Sequence, residues 1–193
     1  MIITIATGNS HKLLEIQNIN PYKNDIILRK IDAKFEPEEN GNTFEENAII
    51  KAKSASLIVK DYALADDTGL CVDYLDGAPG LYSARYAPTQ EEKIKKILNE
   101  LNAVPFEKRT ARFICNMVLT DKNCNIIYKT SGKIEGYIAE SVAGCGGFGY
   151  DPIFFVPKYN KTVAELPNGE KNKISHRANA LIPMLNFIKD NLI

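Results

Sequence analysis

The run Ala63-Leu64-Ala65-Asp66-Asp67-Thr68-Gly69 places two adjacent carboxylates after an apolar stretch. This pattern predicts a strand that ends at Asp66 and Asp67 and delivers their charge to the edge of a sheet, where α/β folds bind ligands. Because successive side chains of a strand point to opposite faces, we expect the two carboxylates to have different roles. One would hold a cation, and the other would cap a turn or fix a base. The alternative is a strand that ends in an Asx turn, with Gly69 in a left-handed conformation.

Length, charge and cysteine content limit the class of protein. The chain has 193 residues, enough for one well-packed domain, and its 24 Lys and Arg balance its 24 Asp and Glu. This balance provides no overall basic field for nucleic acid, although a local basic pocket for a small polyphosphate is compatible with it. The two histidines and four scattered cysteines argue against a zinc site and favour a reducing compartment.

The start of the chain and its hydropathy predict a cytoplasmic protein. Residues Met1–Ala6 form a short apolar run that leads directly into Thr7-Gly8-Asn9, unlike the basic leader and long apolar core of a signal peptide. No run approaches the roughly 20 apolar residues that a membrane span requires. We therefore expect a soluble protein with no membrane partner.

The order of strand and helix patterns predicts a single α/β domain over residues 1–193, built as two lobes. A strand–helix–strand unit opens the chain, and an antiparallel or mixed sheet follows it. Strands are predicted at residues 2–6, 26–31, 63–67, 111–120, 125–130, 133–140 and 153–156, with a turn at Ser131-Gly132. Helices are predicted at residues 11–19, 44–60, 90–101 and 175–192, with a kink at Pro183.

Side chains that cap helices mark several of these starts. In a capping box, a hydroxyl and a carboxylate three residues later satisfy each other's exposed backbone donors. The sequence offers two such boxes, Thr43 with Glu46 and Thr89 with Glu92. Ser10 and Ser175 are predicted as single N-terminal caps.

Two polar segments early in the chain have the residue types that bind phosphate and metal. In Thr7-Gly8-Asn9-Ser10-His11-Lys12, glycine permits close approach of a ligand, helix amides favour an anion, and Lys12 adds a charge. This is not a Walker motif, and a plain strand-to-helix turn is the alternative. The segment Glu36-Pro37-Glu38-Glu39 alone is typical of a solvated loop. Together with Asp67, it supplies the sparse carboxylate set that Mg²⁺ uses beside substrate phosphates and water.

Two later segments have the residue types that recognise a base. In residues 144–151, four glycines surround Phe148, which could stack on a base, and Asp151 could accept from a ring N–H. The alternative is a glycine-rich hairpin whose aromatic side chains lie in the core. In residues 170–177, His176 and Arg177 occupy the first turn of a helix, where cations oppose the helix dipole. Such a locally unfavourable arrangement suggests that they bind an anion or a carbonyl-rich ligand.

Six motifs occur in one order along the chain, in a pattern that runs nearly end to end, from Ile2 to about Ala180. They are TGNSHK (7–12), NTFEENAIIKAK (42–53), ALADDTGL (63–70), GAPGLYSARYA (77–87), GGFGYDPIFFVP (146–157) and KNKISHRANAL (171–181). Each motif alone is ambiguous, but the six together resemble the inosine triphosphate pyrophosphatase family. The resemblance implies an elongated mixed α/β fold with two lobes around a central cleft, usually as a homodimer. It also implies Mg²⁺-dependent hydrolysis of ITP, dITP or XTP to the monophosphate and pyrophosphate.

The resemblance further implies roles for individual residues. Asp67 would be the catalytic carboxylate and a magnesium ligand, with Glu38 as the second ligand, although a one-residue slip would make it Glu39. Lys51 and Arg85 would make secondary contacts. The implied substrate-binding residues are Thr7, Gly8, Asn9, Ser10, His11, Lys12, Thr68, Phe148, Gly149, Tyr150, Asp151, Lys171, His176 and Arg177. Thr68 stands where the family usually has serine, and either hydroxyl can serve.

These roles lead to a hypothesis for mechanism and selectivity. Asp67 would orient or deprotonate a water that attacks the α-phosphorus. Donors from His176 or Arg177 would match the six-position carbonyl of hypoxanthine and xanthine and disfavour the amino group of adenine, because an unpaired buried polar group costs about 1–3 kcal/mol. Guanine carries the same carbonyl, so its rejection must depend on the two-position.

Two rival functions fit parts of the chain. One is a pyrophosphatase of related fold that acts on modified pyrimidine nucleotides, and the complete motifs around residues 146–151 and 175–177 argue against it. The other is a nucleotide-sensing module that binds without hydrolysis. That module would not need Glu38 and Asp67 together, and its binding would not depend on magnesium.

Overall fold

The computed structural model describes residues 1–32 and 35–193. The strands are β1 Ile2–Ile5, β2 Ile27–Lys30, β3 Ala63–Val72, β4 Thr110–Thr120, β5 Ile126–Ile138, β6 Phe154–Val156 and β7 Lys161–Thr162. The helices are α1 Ser10–Ile19, α2 Phe44–Val59, α3 Gln90–Glu100, α4 Asn168–Ile174 and α5 His176–Leu192. Short 3₁₀ helices lie at Asp73–Leu75, Gly80–Arg85, Phe106–Lys108, Asp151–Ile153, Pro157–Tyr159 and Val163–Glu165. No helix in these ranges is long and apolar enough to cross a membrane.

In the described ranges, seven strands form one mixed sheet in the order β2-β1-β3-β4-β5-β6-β7. Strand β1 pairs in parallel with β2, as the opening strand–helix–strand pattern predicts, and it also pairs in parallel with β3. Strand β6 pairs antiparallel with β5 and with β7. The predicted α/β class with a mixed sheet and flanking helices is therefore confirmed.

The chain divides into two compact units. The first comprises Met1–Asp67, Cys115–Gly132 and His176–Ile193, and the second comprises Thr68–Ile114 and Lys133–Ser175. The sequence-based description of a single domain with two lobes around a cleft stays a prediction.

In the first unit, strand alternation separates two apolar clusters. Leu64 of β3 and Met117 of β4 belong to a cluster that includes residues of α1 and α5. Ala65 and Val118, their neighbours along the same strands, belong to a second cluster with three buried alanines of α2. Because neighbouring strand residues point to opposite faces, helices α1 and α5 cover one face of these strands and α2 covers the other.

The second unit has its own core. Its buried residues include Leu70 of β3, Ile97 of α3, and Phe113 and Phe154 of β4 and β6. The rings of Phe113 and Phe154 have centroids 4.7 Å apart. Ile97 of α3 and Leu101, the residue that follows α3, are fully buried.

Strand β3 does not end at Asp66 and Asp67, so that prediction is wrong. The strand continues to Val72 because Leu70 and Val72 are buried in the core of the second unit. Its parallel neighbour β1 pairs with it only at Ala63 and Leu64. The two carboxylates therefore lie just beyond the carboxyl end of β1, in the middle of a longer strand. Gly69 lies within β3, so the alternative of an Asx turn is also wrong.

The turn predicted at Ser131-Gly132 is likewise absent, and β5 runs through both residues. A Cβ atom at Gly132 would lie 2.3 Å from the carbonyl oxygen of His176 and 2.4 Å from the amide nitrogen of Ala180. Glycine at this position therefore permits the close approach of α5 to the strand.

The observed helix caps match the predicted caps only in part. The Thr89–Glu92 box is complete. At α2, Thr43 Oγ1 accepts from the Glu46 amide at 3.1 Å, but the Glu46 carboxylate accepts from the Asn42 amide, one residue earlier than a capping box requires. Ser175 is the C-terminal cap residue of α4, a helix that the sequence did not predict, and it directly precedes α5, so its role as the N-terminal cap of α5 stays a prediction.

We expect Gly132→Ala to lower the free energy of unfolding by roughly 1–3 kcal/mol, because the new Cβ would overlap backbone atoms of α5. Urea unfolding measures this loss. Gly169→Ala is the matched control, since no heavy atom lies within 4 Å of its added Cβ. Equal stability of the two variants would contradict the packing role of Gly132.

Candidate active site

Asp66 belongs to a buried ionic cluster on the α1 and α5 face of β3. Its Oδ2 accepts from Lys12 Nζ at 3.0 Å and lies 3.7 Å from Arg177 Nη2. Arg177 Nη1 also donates to Glu15 of α1. Asp66 is 3% exposed and Arg177 is 2% exposed. A buried charge is costly unless it is paired, and here each charge has a partner of opposite sign.

The ionic cluster keeps both Asp66 and Arg177 charged. Burial alone would raise the pKa of Asp66, but Lys12 and Arg177 hold it well below its usual range. Burial would likewise lower the pKa of Arg177, but Asp66 and Glu15 raise it.

The segment between β1 and α1 is organised by its own side chains. Asn9 Oδ1 accepts from the amides of His11 and Lys12 at 2.9 and 3.2 Å, so Asn9 caps α1 and the prediction of Ser10 as the cap is wrong. Thr7 Oγ1 accepts from the Asn9 amide at 3.1 Å. Gly8 is exposed, and a ligand could approach its backbone closely because no heavy atom lies within 4 Å of an added Cβ.

Asp67 faces α2 on the other side of β3. Its Oδ1 accepts from Lys51 Nζ at 2.7 Å, and its Oδ2 accepts from Asn47 Nδ2 at 3.3 Å. Lys51 Nζ also donates to Glu39 Oε2 at 3.3 Å. Burial alone would lower the pKa of Lys51, but Asp67 and Asp66 raise it above its ordinary value. Adjacent carboxylates thus have separate partners, as strand alternation predicts.

The residues around Asp67 fit a magnesium ion. The Lys51 ammonium stands between Asp67 and Glu39, so two carboxylates already share one cation. Within residues 1–32 and 35–193 no group of three or more His, Cys, Asp or Glu side chains could hold a metal. Mg²⁺ commonly uses one or two carboxylates and takes its other ligands from phosphates and water, which matches this donor set. Glu38, the predicted ligand, is exposed, and Glu39 is the member of the pair that approaches Lys51.

The glycine-rich segment of the second unit forms another buried cluster. Asp151 Oδ2 accepts from the Phe148 amide at 2.9 Å and from Lys171 Nζ at 2.7 Å. Lys171 Nζ lies 5.1 Å from the centroid of the Phe148 ring. A Cβ at Gly147, whose φ is +72°, would meet Asp151 Oδ2 at 2.1 Å, so glycine is required here. Asp151 therefore fixes the Phe148 backbone and the Lys171 ammonium together.

Further bonds anchor this segment within the second unit. The Tyr150 hydroxyl donates to the Ser83 carbonyl at 2.9 Å, and burial raises the pKa of Tyr150 above its ordinary value. Gln90 Nε2 donates to the Gly149 carbonyl. Arg85 lies over the exposed ring of Tyr82, 5.2 Å from its centroid.

The predicted site residues thus form two groups. The first unit contains Thr7, Gly8, Asn9, Ser10, His11, Lys12, Glu38, Lys51, Asp67, His176 and Arg177. The second unit contains Thr68, Arg85, Phe148, Gly149, Tyr150, Asp151 and Lys171. Sequence reasoning missed Glu15 and Asn47. Each lies three or four residues from a predicted lysine on the same helix, the spacing that places two side chains on one helix face.

The charged state of Asp66 predicts loss of stability in acid. The unfolded chain has the ordinary aspartate pKa of about 3.9, above that of folded Asp66, so it binds more protons as the pH falls. The free energy of unfolding should therefore decline below about pH 5, and Asp66→Asn should make this decline shallower. Urea unfolding between pH 7 and 3 measures the slope, with exposed Asp190→Asn as the control. If the free energy of unfolding of Asp66→Asn declined with pH as steeply as that of the wild type, folded Asp66 would not be the charged group that this prediction requires.

Comparison with known proteins supports the resemblance drawn from the motifs. The sequence model of the Ham1 family matches residues 3–187. A dITP/XTP pyrophosphatase of Treponema denticola is 48% identical over 98% of this chain and 99% of its own length. A dITP/XTP pyrophosphatase of Bacillus subtilis is also 48% identical, over 92% of this chain and 91% of its own length.

Solved structures agree with the sequence comparisons. A HAM1 protein from Coxiella burnetii superposes with a TM-score of 0.89 at 40% identity, covering 98% of this chain and 99% of that one. The Staphylococcus aureus Ham1 protein gives a TM-score of 0.86 at 39% identity, with the same coverage of both chains. A family match over nearly the whole sequence, together with relatives of this similarity, shows that the chain belongs to the Ham1 family.

Proposed function

We propose that this protein is a Mg²⁺-dependent pyrophosphatase that hydrolyses ITP, dITP and XTP to the nucleoside monophosphate and pyrophosphate. The observation that carries the proposal is the buried carboxylate of Asp67, held at both oxygens beside Glu39 and Lys51. The names of the curated relatives, which match nearly the full length of the chain, support the same substrate class. We also propose that the protein works as a homodimer in the cytoplasm.

The residues of the first unit would act on the triphosphate. Lys12 and the positive end of the α1 dipole would attract phosphate oxygens, since a helix N-terminus favours an anion. Asp67 and a carboxylate of the Glu38-Glu39 pair would hold Mg²⁺, which when bound neutralises phosphate charge. The family resemblance favours Glu38 as that ligand, whereas the contact with Lys51 supports Glu39.

Asp67 would also prepare the attacking water. The water oxygen forms a bond to the α-phosphorus, the bond from the α-phosphorus to the bridging oxygen breaks, and pyrophosphate leaves with that electron pair. Asp67 takes the proton of the water at a carboxylate oxygen. Positioning and charge stabilisation supply most of the rate in such phosphoryl transfers.

The cluster around Phe148 in the second unit would bind the purine. Its aromatic ring and the adjacent Lys171 ammonium offer a stacking surface and a hydrogen-bond donor, and Asp151 keeps both in place. His176 and Arg177 stay the predicted donors to the six-position carbonyl. Arg177 is already paired with Glu15 and Asp66, so a change at Arg177 also alters the ionic cluster.

We expect the protein to release pyrophosphate from ITP, XTP and dITP, and little from ATP or GTP, only when Mg²⁺ is present. Asp67→Asn should lower kcat by about 10²–10⁴-fold, the usual contribution of a general base, while the thermal unfolding midpoint stays near that of the wild type. Asp190→Asn, an exposed carboxylate on α5, should retain full turnover.

Three outcomes would reject parts of this proposal. Turnover that persists in Asp67→Asn would reject Asp67 as the base. Tight nucleotide binding without Mg²⁺ and without product would instead favour the sensing module, and hydrolysis of modified pyrimidine nucleotides in preference to ITP would favour the related pyrophosphatase.

We expect Arg177→Ala to lower the ratio of kcat/KM for ITP over ATP by roughly 10-fold, because a donor to the six-position carbonyl is lost. The ratio is measured on one preparation, so it does not depend on the fraction of folded protein. Glu15→Gln is the control, because it weakens the Arg177 ion pair but keeps the guanidinium. An unchanged ratio in Arg177→Ala would count against a base-reading role.

A further inference from the structure

One face of α2 connects Asp67 to the acidic segment, residues 35–42. Asn47 and Lys51 lie four residues apart, so their side chains are neighbours on that face. Each contacts both Asp67 and the acidic segment. Asn47 donates to Asp67 Oδ2 and accepts from the Gly41 amide at 2.9 Å, and Lys51 donates to Asp67 Oδ1 and to Glu39 Oε2. The same pair of elements is therefore joined twice, one helical turn apart.

The chemistry of the Asn47 amide suits this position. Its nitrogen donates to a carboxylate while its oxygen accepts from a backbone amide, and neither Asp nor Ala can make both bonds. Asn47 is 2% exposed, so water cannot readily replace a lost partner. A Cβ at Gly41 would lie 2.8 Å from Asn47 Oδ1 and 2.7 Å from Glu46 Cβ, so glycine lets the segment approach the helix.

Lys51 has a different effect on the same two elements. Lys51 is 7% exposed, and its ammonium stands between the Asp67 and Glu39 carboxylates, which would otherwise repel each other. A divalent cation bound by these carboxylates would therefore compete with the ammonium for the same oxygens. The competition follows from geometry, because Lys51 Nζ already occupies the position between them.

We propose that Asn47 is a positioning residue that holds the acidic segment against Asp67, and that Lys51 is a built-in cation which a divalent metal displaces. This inference rests on the proposed role of Asp67 as a metal ligand. It assigns opposite effects to two residues of one helix face. Asn47 favours metal binding because it brings the carboxylates together, and Lys51 opposes metal binding because it neutralises them.

The test is a titration of the full chain with Mn²⁺ in the absence of nucleotide. The electron paramagnetic resonance signal of free Mn²⁺ measures how much of the ion is bound. We expect Asn47→Ala to weaken Mn²⁺ binding at least 10-fold and Lys51→Met to strengthen it several-fold. Ser56→Ala is the matched control on α2, since Ser56 is buried and its hydroxyl donates to the Lys53 carbonyl, away from Asp67. Its Mn²⁺ affinity should stay within twofold of the wild type.

Three further measurements separate positioning from a general loss of structure. Hydrogen exchange of the Gly41 amide should become faster in Asn47→Ala and stay unchanged in Ser56→Ala. Gly41→Ala, which changes only the segment, should weaken Mn²⁺ binding in the same direction and supplies the test if Asn47→Ala does not fold. The thermal midpoint of Lys51→Met should rise more with added Mn²⁺ than that of the wild type, because bound ligand stabilises the folded state.

The outcomes also separate this inference from the proposed function. Wild-type affinity for Mn²⁺ in both Asn47→Ala and Gly41→Ala, or weaker binding in Lys51→Met, would overturn the inference even if the wild type hydrolyses ITP. Opposite shifts in the two α2 variants would support it even if the wild type releases no pyrophosphate. In that case the proposed function alone would fail.

Discussion

The arrangement of charge depends on the alternation of side chains along β3. Asp66 and Asp67 are adjacent in sequence, yet one faces α1 and α5 and the other faces α2. Two carboxylates on one face would repel each other and compete for the same cations. Placing them on opposite faces gives Asp66 its own partners, Lys12 and Arg177, and leaves Asp67 to Lys51. A one-residue shift in register would exchange these surroundings and leave both carboxylates with the wrong helix.

The two carboxylates consequently suit different tasks. Asp66 is enclosed by cations from two helices, so its negative charge is compensated within the protein and serves to fix Lys12 and Arg177 in place. Asp67 is held by one ammonium and one neutral amide, beside a second carboxylate that approaches the same ammonium. Among the described residues, Asp67 and Glu39 share the single Lys51 ammonium, whereas Asp66 and Glu15 are paired with both Lys12 and Arg177. The excess of carboxylate over cation around Asp67 favours a divalent metal.

The sequence predicted the α/β class, the opening parallel unit and most helices, because each has a local signal such as the Thr89 capping box. It failed where the structure depends on distant partners. The continuation of β3 beyond Asp67 is set by burial of Leu70 in another core, and the path of β5 through Gly132 is set by the approach of α5. A local turn signal cannot be distinguished from a glycine that makes room for a helix until that helix is placed.

Site residues likewise differ in whether a local sequence signal or a distant partner identifies them. Lys12 and Asp67 stand out because charged side chains interrupt apolar patterns. Asn47 does not stand out, since a polar residue in the first turns of a helix is unremarkable until its two partners, Gly41 and Asp67, are known. Those partners come from a loop before α2 and a strand after it. The residues that hold the candidate site together are therefore identified by what they connect, whereas the residues that would touch a ligand are identified by their chemistry.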